Sequence, residues 1–194
     1  MATMDQIKAL REKTGVGVVD VKRALEEAGD DEEKALQILR ESGAAKAVKK
    51  TSRETKEGAV ATYLHGNGRI GAMVTLYCET DFVSRNEEFQ ALGRDIAMHI
   101  AAMSPTALRP EDVSAETVET EKAIWTEQLR QEGKPEEMFE KIMSGKESKF
   151  REERALLSQA FVKDPEQSIQ DVLTAAVQKL GENIKIGEFT RFEV

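Results

Sequence analysis

Apolar positions at helical spacing predict three short helices within the first 42 residues. A T-x-x-Q capping box from Thr3 to Gln6 begins the first helix, and a D-x-x-E pattern from Asp30 to Glu33 begins the third. Gly43 is predicted to end the third helix, because glycine readily adopts the left-handed conformation that closes a helix. Three such helices would form a small bundle that is only marginally stable on its own.

Residues 58–79 change to a two-residue alternation of apolar and polar positions, which is typical of half-buried strands. The turn sequence His65-Gly66-Asn67-Gly68 separates two alternating runs, so a β-hairpin is predicted. Residues 184–194 form a further strand whose alternation slips around Gly187, which predicts a bulge. A sheet of three strands cannot bury both faces, so we expect helices over one side and a second copy of the chain against the remainder.

Helical spacing returns between the hairpin and the C-terminal strand. Together with the bundle and the sheet, it predicts an α+β fold with a helical arm. The predicted helices run from a cap at Ser84 or Asn86 to Ser104, through the arm at residues 114–158, and from Asp164 to Gly181.

These elements divide the chain into a helical module at residues 1–42, a basic linker at 43–57 and an α+β core at 58–194. The linker has five Lys or Arg side chains against two Glu, a net charge of +3. It is either a solvated helix or tether, or a docking strip for RNA or an acidic partner. The absence of interleaved aromatic residues favours the first interpretation.

Composition sets the limits on function. The chain has 194 residues, 40% of them hydrophobic, and a net charge of −8, which argues against a general nucleic-acid binder. The single cysteine, Cys78, excludes an internal disulfide framework, and no apolar run approaches the ~20 residues that span a bilayer. The N-terminal residues show no signal peptide or transit leader, so we expect a cytoplasmic protein without a membrane partner.

Catalytic and cofactor motifs are missing from the sequence. It contains no P-loop, nucleophile elbow, H-E-x-x-H or C-x-x-C motif, and no set of residues resembles a nucleophile with its base. His65 falls in a predicted turn, and His99 lies on a helix face where a packed core residue is more common than a metal ligand. We therefore expect a binding protein, not an enzyme, with no metal, nucleotide or other cofactor of its own.

Two apolar segments interrupt polar surroundings and leave alternatives open. Val18 and Val19 follow a tight Gly-rich turn and are either core residues or an exposed patch that binds a partner. Phe82, between the hairpin and the next helix, is either tucked back as a hydrophobic staple or offered to a partner. The residue pattern alone does not choose between these alternatives.

Seven segments of the sequence match the motifs of one protein family. They are residues 14–25 (TGVGVVDVKRAL), 42–47 (SGAAKA), 78–83 (CETDFV), 97–102 (AMHIAA), 133–135 (GKP), 161–163 (FVK) and 181–184 (GENI). On these segments the chain resembles the elongation factor Ts family of nucleotide exchange factors. The resemblance covers nearly the whole chain, and the length is similar to that of the short members with a single copy of the core unit.

The resemblance implies a function and a set of contact residues. Residues 1–42 would form a ubiquitin-associated-like bundle. The chain would bind the GTPase elongation factor Tu, both GDP-bound and nucleotide-free, and promote GDP release during protein synthesis. The resemblance implies a wedge into the nucleotide-binding domain, called here the wedge segment: Thr80, Asp81, Phe82 and Val83. It implies secondary contacts at Arg11, Val18, Val19, Lys22, His65, Gly66, Leu180 and Gly181.

The resemblance also implies a homodimer formed through the sheets. No direct nucleic-acid contact is expected, because the net charge is −8. Asp81 would either cap its loop or repel the GTPase site electrostatically. The chain departs from the family at Val18-Val19, where methionine is frequent, and at Ala160, where proline is frequent. The alternative function is a ubiquitin-associated-like adaptor that binds peptides or ribosomal components without exchange activity.

Overall fold

The computed structural model describes residues 2–14 and 16–194, which have the predicted α+β fold. Short 3-10 helices lie at Pro110–Asp112, Glu136–Met138 and Leu156–Ser158. The helices are α1 (Met4–Thr14), α2 (Val18–Glu27), α3 (Glu32–Lys50), α4 (Asp81–Ser84), α5 (Glu87–Met103), α6 (Ala115–Gln131), α7 (Phe139–Arg154) and α8 (Ile169–Leu180). The strands are β1 (Glu57–His65), β2 (Ile70–Cys78), β3 (Ala160–Phe161), β4 (Asp164–Ser168) and β5 (Lys185–Glu193).

The chain divides into two compact units that interleave along the sequence. The first contains the residues up to Tyr63, together with Met73–Ala97 and Asp171–Phe189. The second contains Leu64–Ala72, Met98–Gln170 and Thr190–Val194.

Helices α1 to α3 form the predicted three-helix bundle. The capping box is confirmed, because the Thr3 amide donates to Gln6 Oε1 (3.0 Å) and the Gln6 amide donates to Thr3 Oγ1 (3.3 Å). The cap of α3 is Asp31, one residue after the predicted Asp30. It accepts from two backbone amides, and these bonds lower the pKa of its carboxyl group. The buried core consists of Ile7, Leu10, Val16, Val21, Ala24, Leu25, Ala35 and Leu39.

Helix α3 does not end at Gly43, so that prediction was wrong. The helix continues to Lys50 and therefore includes the first eight residues of the basic segment. Gly43 is buried, and a Cβ atom built on it would collide with the side chain of Gln178 on α8. The glycine therefore permits a close approach between two helices instead of closing one.

The hairpin and the C-terminal strand form one antiparallel sheet in the order β1-β2-β5. Strand β2 buries every second side chain, and α5 packs on this face of the sheet. The packing is close, because a Cβ built on Gly93 of α5 would lie 2.8 Å from the Cβ of Ala61 on β1. The hairpin is confirmed, although its turn centres on Gly66 and Asn67: the Gly68 amide donates to the His65 carbonyl (3.0 Å). The other face of the sheet carries exposed Val60, Met73 and Tyr77.

Strand β5 lies at the edge of the sheet, beside β2. Ile186 near its start is buried, and Arg191 nearer its end donates from Nε to the carbonyl oxygen of Ala101 on α5 (2.9 Å). The bulge expected near Gly187 stays a prediction.

The arm is the predicted helical hairpin, formed by α6 and α7. Trp125 and Phe150 meet edge to face with ring centroids 5.5 Å apart. Glu147 accepts from Lys122 (2.9 Å) and from Arg151 (2.8 Å), and these contacts lower the pKa of its carboxyl group.

The last helix begins later than predicted. Asp164 does not begin a helix, because Asp164–Ser168 forms β4 and pairs with β3, with Ala160 opposite Ser168 and Phe161 opposite Asp164. Helix α8 starts only at Ile169, whose amide donates to the Gln159 carbonyl (3.0 Å). Strand pairing with a neighbouring segment therefore overrides a local helix-start pattern.

His99 is a packed core residue, as its position on the helix face indicated. Its Nε2 lies 3.0 Å from Gln159 Oε1, and its Nδ1 accepts from the Val162 amide (3.3 Å). The Nδ1 contact requires an unprotonated nitrogen, and burial lowers the pKa of the imidazole. The ring is therefore neutral at physiological pH.

Candidate partner-binding site

The wedge segment forms a single helical turn that projects an aromatic side chain into water. Thr80 has an extended backbone (φ −128°, ψ 158°) and precedes α4. The side chain of Phe82 is 84% exposed. Phe82 is therefore not a hydrophobic staple, which removes one of the two alternatives that the sequence left open.

Partly buried polar contacts stabilise this turn, two at its far end and one at its base. The Ser84 hydroxyl donates to the Asp81 carbonyl (2.9 Å), and Gln90 Nε2 donates to the Ser84 carbonyl (2.6 Å). The Cys78 thiol donates to the Thr80 carbonyl (3.2 Å), and burial raises its pKa to about 11, so it remains protonated. Asn86 Oδ1 accepts from the Glu88 amide (2.8 Å) and thereby caps the following helix.

The near end of the turn is held by the carboxylate of Glu182, in the loop after α8. Glu182 Oε2 accepts from the Glu79 and Thr80 amides, each at 3.0 Å. Glu182 Oε1 accepts from the Thr80 hydroxyl at 2.6 Å. One carboxylate thus receives three hydrogen bonds from two successive residues at the base of the wedge segment.

Asn183 extends this contact to the end of α3. Its amide donates to Glu79 Oε1 (2.6 Å), and its side-chain nitrogen donates to the Arg53 carbonyl (2.8 Å). Lys50 Nζ donates to the Gly181 carbonyl (2.5 Å), and burial is the main cause that lowers the pKa of this ammonium group. Gly181 reverses the chain in the left-handed region (φ +79°), directly after Leu180 ends α8.

Asp81 does not cap the wedge turn, so that alternative was wrong. The cap position belongs to Thr80, and Asp81 is the first helical residue. Its carboxylate pairs with Arg85 across one turn (3.1 Å), where both side chains are exposed to water. Such a surface pair is worth about 0–1 kcal/mol and leaves the carboxylate accessible.

The bundle presents a second apolar surface at the start of α2. Val18 is 45% exposed and Val19 is 79% exposed, whereas Val16 and Val21 are buried. Val18 and Val19 are therefore not core residues. Lys22 on the same helix is exposed and lies 3.8 Å from Glu26, and Arg11 is exposed on α1.

The remaining predicted contacts lie in the hairpin turn. His65 ends β1, and Gly66 follows with a positive φ of +49° and no heavy atom near the position of a Cβ. Both residues are exposed. Glu182, which follows Gly181, joins Thr80 to the end of α8. Asp81, Phe82 and Val83 lie on α4, and the remaining predicted residues lie on α1, α2 and this turn.

Sequence reasoning missed the residues that hold the wedge segment. Glu182 and Asn183 were noted only as part of a family-like run, although a Gly-Glu-Asn sequence at a predicted helix end offers both a chain reversal and polar side chains. Within the described residues no group of three or more His, Cys, Asp or Glu could hold a metal ion. No helix in that part of the chain is long and apolar enough to cross a bilayer.

Comparisons with known proteins agree on one family. The family model described as Elongation factor TS matches residues 19–194. Elongation factor Ts of Thermosipho melanesiensis is 52% identical over 194 residues, which cover 100% of this chain and 99% of that protein. Elongation factor Ts of Fervidobacterium nodosum is 50% identical over 188 residues, covering 97% of this chain and 95% of that protein.

Proposed function

The chain belongs to the elongation factor Ts family, and we propose that it is a guanine-nucleotide exchange factor for the GTPase elongation factor Tu. In this role it promotes release of GDP during protein synthesis and acts in the cytoplasm, where ribosomes translate. Exchange makes and breaks no covalent bond, so the chain acts as a binding protein and not as an enzyme. The observation that carries the proposal is the exposed ring of Phe82 on a braced helical turn.

An exchange factor must bind the nucleotide-free GTPase more tightly than the GDP-bound form. By linkage, the factor then weakens GDP binding by the same ratio as GDP weakens binding of the factor. A thousandfold faster release corresponds to about 4 kcal/mol. Burying one Phe side chain provides about 1.5–3 kcal/mol, so Phe82 can supply a large part of this energy and other contacts must supply the rest.

The insertion of Phe82 would act on the phosphate end of the nucleotide. In the proposed complex the ring enters near the Mg²⁺ side of the pocket and displaces the groups that hold the metal. Because Mg²⁺ neutralises phosphate charge, its loss loosens GDP. The Asp81 carboxylate, which is not used as a cap, would add electrostatic repulsion at the same place.

The N-terminal module would add affinity. We propose that residues 1–42 form a ubiquitin-associated-like module, joined through residues 43–57 to the core at 58–194, and that the module binds the GTPase's nucleotide-binding domain. Its exposed Val18 and Val19 supply the apolar contact, and the cations Arg11 and Lys22 flank it. Leu180 and Gly181 add lesser contacts beside the wedge segment.

The open face of the sheet would be covered by a second copy of the chain. Exposed Val60, Met73 and Tyr77 form an apolar surface of the kind that dimer interfaces bury. In such a homodimer one GTPase would meet the wedge segment of one subunit and the His65-Gly66 turn of the other.

The test is release of fluorescent mant-GDP from purified elongation factor Tu. Addition of the chain at substoichiometric concentration should accelerate release, with each molecule of the chain turning over several GTPases. Titration should also show tighter binding to the nucleotide-free GTPase than to the GDP-bound form. Binding without acceleration would refute the exchange function and favour the adaptor alternative, for which exposed Val18 and Val19 would be the contact surface.

A further inference from the structure

The wedge turn cannot fix its own orientation. Helix α4 has four residues, and it is closed by backbone hydrogen bonds from the Ser84 amide to Thr80 and from the Arg85 amide to Asp81, each at 3.2 Å, and from the Asn86 amide to Val83 at 3.0 Å. Isolated helices of this length are unstable in water, because nucleation fixes several residues for one hydrogen bond. Contacts from outside the turn must therefore determine where Phe82 points.

The Glu182 carboxylate is the charged group that makes these contacts on the N-terminal side. Its two oxygens accept from the Glu79 amide, the Thr80 amide and the Thr80 hydroxyl at 3.0, 3.0 and 2.6 Å. Successive backbone amides directed at one anion form a concave site that prefers a negative charge. Hydrogen bonds to an ionised acceptor are about twice as strong as neutral ones.

Glu182 is itself held in place on both sides. The residue before it, Gly181, has a positive φ of +79°, and its carbonyl accepts from Lys50. The residue after it, Asn183, is buried and bonds to Glu79 and to the Arg53 carbonyl. The carboxylate thus projects from a fixed support, the arrangement that a functional group needs from its surroundings.

We infer that Glu182 is the positioning residue of the wedge segment: it orders the turn before the GTPase arrives. The inference rests on the proposed exchange function. Removing the carboxylate would leave Phe82 chemically intact but its turn less ordered, because only the contacts of Ser84, Gln90 and Cys78 would remain. Part of the ordering cost would then fall on the binding step. The expected result is weaker binding of the nucleotide-free GTPase and slower exchange, with the rest of the fold unchanged.

A double-mutant cycle separates positioning from a general structural role. Glu182→Ala should raise the dissociation constant for nucleotide-free elongation factor Tu by about 10-fold or more, the value expected for lost charged hydrogen bonds. The same change in a Phe82→Ala background should have little further effect, because no ring remains to position. Glu88→Ala is the matched control, since Glu88 pairs with Lys179 on α8 (2.7 Å) and should leave binding unchanged.

Amide hydrogen exchange of the free protein supplies a second readout. In Glu182→Ala the Ser84 and Arg85 amides, which close the wedge turn, should exchange faster, while amides of β2 keep their wild-type rates. Glu182→Gln retains one acceptor oxygen and should restore part of both the affinity and the protection.

The outcomes distinguish the inference from the proposed function. Equal losses for Glu182→Ala with and without Phe82, or unchanged exchange at Ser84 and Arg85, would overturn the positioning role. If Phe82→Ala itself binds and exchanges like the wild type, the proposed wedge function fails first.

Discussion

Truncation of Phe82 is the most direct perturbation of the proposed exchange mechanism. The ring is 84% exposed in the free chain, so Phe82→Ala removes almost no packing and should change the free energy of unfolding by less than about 0.5 kcal/mol. In the complex, the same ring would be buried, and its removal would cost about 1.5–3 kcal/mol. Factor-stimulated GDP release should therefore fall by about 10- to 100-fold.

The assay is mant-GDP release from elongation factor Tu over a series of factor concentrations below saturation. Phe82→Leu keeps part of the apolar volume, so its rate should fall between the wild type and Phe82→Ala. Met138→Ala is the control for losing an exposed apolar side chain, because Met138 is 50% exposed in the arm. Thermal unfolding of all three variants should match that of the wild type.

A wild-type rate for Phe82→Ala under subsaturating factor would refute the reasoning. The exposure of the ring would then serve another purpose, and the energy for nucleotide release would have to come from other contacts. A loss of rate accompanied by a large drop in melting temperature would show that the turn contributes to folding, contrary to the high exposure of its side chain.

Three further predictions concern other parts of the molecule. Val19→Asp should weaken the complex with elongation factor Tu by calorimetry while the melting temperature stays unchanged; unchanged affinity would exclude this surface as a contact. Val60→Lys should convert a sedimenting dimer into a monomer, and an unaffected dimer would exclude the open sheet face. Burial lowers the folded-state pKa of His99. Its contribution to the free energy of unfolding is therefore complete above the ordinary histidine pKa of about 6.5, and it declines as pH falls below that value. Urea midpoints at pH 7.5 and 5 should differ less in His99→Gln than in the wild type, and equal differences would contradict this.

Local signals in the sequence predicted those elements whose decisive contacts are also local. The Thr3 and Gln6 capping box joins groups three residues apart. The start of α3 was also predicted, although its cap is Asp31 and not Asp30, the first residue of the predicted pattern. Asn86 caps α5 over a similar distance. In each case the donor and the acceptor are both visible within one turn of the chain, so the pattern is sufficient.

The two wrong helix ends involve contacts that a helix-capping pattern does not include. Gly43 is a plausible helix stop, but in the structure it lies inside α3, against Gln178 of α8. Asp164 and the proline after it resemble a helix start, but pairing with the nearby residues Ala160 and Phe161 makes the segment a strand. A helix-capping pattern identifies neither partner, because packing and strand pairing override propensity.

The candidate site divides in the same way. Sequence reasoning located Phe82 and Val19, but their exposure depends on what the rest of the chain leaves uncovered. Glu182 was missed because its hydrogen-bond partners are 102 and 103 positions away in the chain. Only the fold places the end of α8 beside the end of β2.

The length of α3 changes how the N-terminal module should contribute to binding. A flexible tether would act mainly by raising the local concentration of the module. Instead, the described helix continues to Lys50, and Lys46 on it pairs with Asp20 of α2 (2.7 Å). At its end, Lys50 bonds to Gly181, the residue next to Glu182. The same chain reversal therefore anchors both the helix that carries the module and the carboxylate that holds the wedge segment. If the module binds the GTPase as proposed, a module supported in this way would lose less conformational entropy on binding than a tethered one, so its contribution would depend on geometry and not only on proximity.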